Sequence, residues 1–109
     1  MNVMHIFDYD IHDKELDFQP NDIYDFEFWM TVNVGDGIAG NLFQVHICSP
    51  ISIKRIKDKK GCFMIDQWEG LPHLVTQMNE FINKAINSSS SDNPYEILSR
   101  HWLWEYEGM

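Results

Sequence analysis

Cysteine is scarce in this chain: only Cys48 and Cys62 occur, too few for the disulfide frameworks that hold small secreted domains together. Reduced thiols in a cytoplasmic location are the simplest expectation. Basic residues are scarce as well, eight against seventeen acidic ones, and a net charge of −9 argues against a phosphate-binding surface. No nucleic-acid partner is expected. Long apolar runs are missing: the longest uncharged stretch, Gly37 to Ile53, is broken by Gly40, Asn41, Gln44 and Pro50, so no membrane span is predicted. The N-terminal residues show no basic region leading into an apolar run, and no signal peptide is expected. Phosphate loop, nucleophile elbow and dinucleotide fingerprint are absent too, which leaves an enzyme as the minor reading and gives no reason to expect a cofactor.

What is present is a globular composition. Of 109 residues, 44% are hydrophobic and 14% aromatic, enough for one core in a single domain spanning 1–109. A domain of this size buries roughly 65% of the surface its unfolded chain exposes. Charge is unevenly spread. Residues 1–36 carry nine carboxylates against Lys14, a local balance of −8, while Lys54, Arg55, Lys57, Lys59 and Lys60 sit together. A dipolar molecule with one strongly negative side follows.

Periodicity predicts the elements. Phe7, Tyr9 and Ile11 alternate with Asp8 and Asp10, a half-buried strand within Val3–Ile11. Residues 12–22 read as a loop. Tyr24, Phe26, Phe28, Met30, Val32 and Val34 alternate with Asp25, Glu27, Trp29, Thr31 and Asn33, the clearest strand of the chain. The glycines of "GDGIAG" (35–40) suit a turn, and Phe43, Val45 and Ile47 continue an antiparallel hairpin partner. Ser49-Pro50 reads as a cap and first-turn proline of a short helix through Ile53 and Ile56, ended by Gly61. "CFMIDQ" (62–67) reads as a fourth strand. Apolar residues at 71, 74, 75, 78, 81, 82, 85 and 86 form the stripe of a helix of about four to five turns. Asn93-Pro94-Tyr95-Glu96 caps a shorter helix. In the final stretch "HWLWEYEG", extended backbone puts Trp102, Trp104 and Tyr106 on one face and Leu103, Glu105 and Glu107 on the other, a closing strand docked in the core. The fold class is therefore α+β: a mainly antiparallel sheet packed by one long helix and a shorter C-terminal one.

Three constellations bear on chemistry. His46, Cys48 and Cys62 offer soft ligands, but their spacing is not that of a zinc finger, and free cysteine commonly packs as a small hydrophobe. No metal is expected. Asp8, Asp10 and His12 share a strand face near His5 and resemble the paired carboxylates of hydrolases; alternation with apolar residues is equally the pattern of a solvated face. Trp29 falls on the polar face of its strand among Asp25, Glu27 and Thr31. Either it anchors a recognition surface, or it lies beneath the short helix or a loop.

The stretch "FEFWMTVNVGDGIAGNLFQVHICSP", with "WEYE" near the C-terminus, resembles immunity protein family 8, small proteins of bacterial polymorphic toxin and contact-dependent inhibition systems. Matching features are Asp25-Phe26 opening a strand, the glycine-containing turn, Phe43-Gln44-Val45 running into Cys48-Ser49-Pro50, and Trp104-Glu105-Tyr106-Glu107. The chain departs at Ile51-Ser52-Ile53, where an aromatic is common, and at Tyr95, where Trp is expected. The resemblance implies a non-enzymatic inhibitor that captures a cognate toxin domain; separately, a monomer or weak homo-oligomer is expected. A small acidic regulatory domain with another protein partner is the alternative, and a carboxylate-dependent hydrolase the less favoured one. Charge and predicted strand faces, not the resemblance, place the toxin contact on Asp8, Asp10, Asp25, Glu27 and Trp29, with Glu105 and Glu107 as rim charges.

Overall fold

Strands β1 (His5–Ile11), β2 (Glu27–Gly35) and β3 (Gly40–Cys48) pair in sequence order, each antiparallel to the next. The computed structural model describes residues 4–15, 17–37, 40–88 and 93–105. The outer edge of β3 is divided between two partners. β4 (Cys62–Met64) runs parallel to residues 46–48, and β5 (Leu103–Trp104) runs antiparallel to residues 43–44. Helices α1 (Leu71–Asn87) and α2 (Pro94–Ser99) complete an α+β fold on a mostly antiparallel, mixed sheet.

The inner face follows from alternation. Phe28, Met30, Val32 and Val34 of β2 and Phe43, Val45 and Ile47 of β3 are buried, and facing positions keep these side chains in register. Leu71, Leu74, Met78 and Ile82 of α1, with Leu98 of α2, join them in one core. Asn93 caps α2 through its Oδ1, which accepts the Tyr95 N–H at 2.8 Å, and Pro94 takes the first helical position.

Several boundaries depart from the alternation. Tyr24 is 53% exposed and lies before the strand, because an aspartate turn holds residues 22–25: Asp22 Oδ1 accepts the Tyr24 N–H and its carbonyl the Asp25 N–H. In β1 the register shifts between Ile6 and Asp8, so Ile6 and Ile11 turn inward while Phe7 is 41% exposed. The Ile6 N–H at this irregularity donates to Asn79 Oδ1 of α1 at 2.8 Å, tying the edge strand to the helix. The helix expected after Pro50 is one 3-10 turn, Ser52–Arg55. Its buried hydroxyls lock the start of β2 to the end of β3: Ser52 Oγ donates to the Phe26 carbonyl at 2.7 Å, and Ser49 Oγ accepts the Phe26 N–H at 3.1 Å. The fourth strand stops at Met64, after which Ile65 turns into the core.

The closing strand is shorter than its alternation suggests. Trp102 is not extended; its N–H donates to the Leu98 carbonyl, continuing the coil of α2. With β4 already on residues 46–48, only the other half of β3 remains for β5. The aromatics still reach the core. Trp102 is 1% exposed among Phe43, Phe63 and Phe81, and half-buried Trp104 stacks on Phe43 with centroids 6.2 Å apart. Tyr106 lies outside the described residues. A second aromatic group joins Phe18, Phe26, Phe28 and Trp68, and pins Phe18 against the sheet.

Candidate functional site

Both helices pack on the inner face, so the polar face of the sheet carries what chemistry the fold presents. β2 contributes Glu27, Trp29, Thr31 and Asn33 to this face, and β3 contributes Gln44, His46 and Cys48 opposite them. Asp8 pairs with Asn33 and Asp10 with Thr31, which places both exposed aspartates on the same surface. The sheet thus brings together Asp8, Asp10, Glu27 and Trp29.

Trp29 faces His46 across the hairpin. Their rings stack at 4.5 Å between centroids and 14° from parallel, and His46 Nε2 donates to Glu27 Oε2 at 2.8 Å. The histidine is 7% exposed, fixed on one side by the indole and at one nitrogen by the carboxylate. Trp29 is consequently half-buried and held flat. The indole is seated on the polar sheet face, beside a recess of about 380 Å³ that His12, Asp13 and Lys14 of the segment following β1 also line.

The remaining predicted residues separate. Asp25 precedes β2 and is paired with Arg55, whose Nη2 donates to its Oδ1 at 2.6 Å; this bond and the attraction of the carboxylate raise the arginine's pKa. Its charge is therefore neutralised locally by the basic segment. Glu105 is exposed just past β5, its N–H on the Leu42 carbonyl, and Glu107 lies outside the described residues. Asp25–Arg55 and Glu27–His46 were both unreadable from sequence, since each joins residues far apart in the chain.

Cys62 also faces His46, with Sγ 3.8 Å from Nδ1. Cysteine, histidine and glutamate thus follow one another as nucleophile, base and orienting acid do in thiol hydrolases. The electrostatics run the other way. Burial raises the Cys62 pKa, and burial together with Cys62 pushes Cys48 up to about 12, so both thiols are held protonated. Cys62 does not line the recess beside Trp29 either. Among the described residues, no three His, Cys, Asp or Glu side chains are grouped to hold a metal ion, and no helix is long and apolar enough to cross a membrane.

Compared with family models, curated proteins and solved structures, the chain matches none.

Proposed function

We propose that this chain is an immunity protein: it captures a cognate toxin domain of a bacterial polymorphic toxin system in stoichiometric fashion and catalyses no reaction. The observation that carries this reading is the polar sheet face, where a rigid indole, Trp29, stands among Asp8, Asp10 and Glu27. An ordered aromatic contributes contact area with little loss of side-chain freedom, and the surrounding carboxylates favour a cationic partner. The resemblance of the β2–β3 segment to immunity protein family 8 supports the same conclusion.

Protection of the producing cell requires capture at about nanomolar strength, roughly −12 kcal/mol. An interface of about 1,600 Å² with a few anchors reaches this range. The negative N-terminal third would raise association with a cationic active cleft by about 10- to 1,000-fold. Speed suits a protein that must meet each toxin molecule before it acts.

If the adjacent gene encodes a large secreted protein with a variable C-terminal domain, co-expression with that domain tests the reading. Restored growth and a one-to-one complex are expected. Growth arrest despite abundant folded protein would overturn it.

A further inference from the structure

The recess beside Trp29 has a composition that selects its occupant. His46 covers the β3 side of the indole, while His12, Asp13 and Lys14 continue the chain past β1 on the other side, where the His12 N–H donates to the Trp29 carbonyl. A space of about 380 Å³ is lined by both sides and by Trp29 itself, whose ring stacks on His46 by one face only. Each wall is fixed. The His12 ring is held by Thr31 Oγ1 at 2.7 Å, and Trp29 by its stack on His46. Glu27 spends Oε2 on His46 and keeps Oε1, on a side chain 43% exposed. Asp13 stands at the lip in the left-handed region, with φ 62°. Lys14 does not fill the space with its own charge, because its ammonium lies over the Phe18 ring, 4.6 Å from the centroid.

We propose that this recess receives the guanidinium of an arginine presented by a partner protein; the proposal rests on the reading of the polar face as a capture surface. A cation is selected because Asp13 and Glu27 outweigh Lys14 at the mouth. A planar one is selected because the open surface is an indole face held in place. Guanidinium stacks on such a face, sheds water more readily than ammonium, and carries forked donors suited to the carboxylates of Glu27 and Asp13, which both line the recess. A lysine would satisfy the charge without the stacking.

The test uses the intact protein, labelled with ¹⁵N, titrated separately with N-acetylarginine amide and N-acetyllysine amide to about 50 mM, a range that covers the roughly millimolar binding expected of one side chain. The Trp29 indole N–H resonance should shift saturably with arginine amide, while the resonance of buried Trp102 stays in place. Lysine amide should bind at least threefold more weakly. Asp13→Asn and Glu27→Gln should each weaken arginine binding by about fivefold, in line with a lost charge-assisted bond. An unmoved Trp29 resonance, or equal response to both amides, overturns the proposal. Capture of the toxin domain with no arginine response would remove this inference alone, whereas an arginine response in a protein that gives no protection would remove the immunity reading and leave the recess assigned.

Discussion

The ring of Trp29 lies flat on the ring of His46, 4.5 Å between centroids, at facing positions of β2 and β3. Because Glu27 holds the other end of the histidine, three side chains on two strands behave as one rigid unit. The anchor is ordered before any partner arrives, which lowers the entropy lost on binding.

Replacing Trp29 with alanine should weaken capture of the toxin domain by about 30-fold or more, the loss of a central aromatic anchor. Because the indole is only half-buried, folding should lose little beyond the stack on His46, about 0.5–1.5 kcal/mol. Calorimetric titration alongside urea unfolding separates the two effects. Unchanged affinity would move the contact surface elsewhere.

Asp25 and Glu27 should part company. Asp25 and Arg55 cancel as a pair, so removing both charges together, Asp25→Asn with Arg55→Gln, should alter the association rate by less than about twofold. Glu27→Lys, on the face that holds Trp29, should slow it by about three- to tenfold at low ionic strength, and salt at about 0.5 M should erase the difference. Stopped-flow association measured across a salt series checks both.

The two thiols should react slowly with iodoacetamide at neutral pH, Cys48 more slowly than Cys62, because burial keeps them protonated. Fast alkylation of Cys62 that depends on His46 would speak for a thiol enzyme. The same shift links stability to pH. Folded Cys48 titrates near 12 against 9.0 for the free thiol, so its contribution is complete below pH 9 and is lost as pH rises toward 12. Urea unfolding across this window should fall more steeply for the native protein than for Cys48→Ala.

Trp102→Ala should destabilise the fold by about 3–5 kcal/mol, since the indole fills the junction of Phe43, Phe63 and Phe81. Removing residues 102–109 takes away Trp102 and β5 together and should abolish cooperative unfolding. A truncated protein with an unchanged melting temperature would contradict this packing.

The inner faces of β2 and β3 and the stripe of α1 were legible because each is a local period: Phe28, Met30, Val32 and Val34 must share one side of an extended chain, and Leu71, Leu74, Met78 and Ile82 one side of a coiled one. Their apolar composition then requires that the two sides meet. Pairing is another matter. The irregularity that exposes Phe7 exists only relative to β2, and the shortness of β5 follows from β4 taking half of the same edge.

The sequence by itself determined the α+β class, the inner faces of β2, β3 and α1, and the side of the sheet on which Asp8, Asp10, Glu27 and Trp29 stand, because alternation is written residue by residue. Only the tertiary structure decided what those side chains do: Trp29 stacks on His46, Glu27 holds that histidine, and Asp25 is taken by Arg55. These are contacts between residues 17 to 30 positions apart, and strand register and chain return set them, not local periodicity.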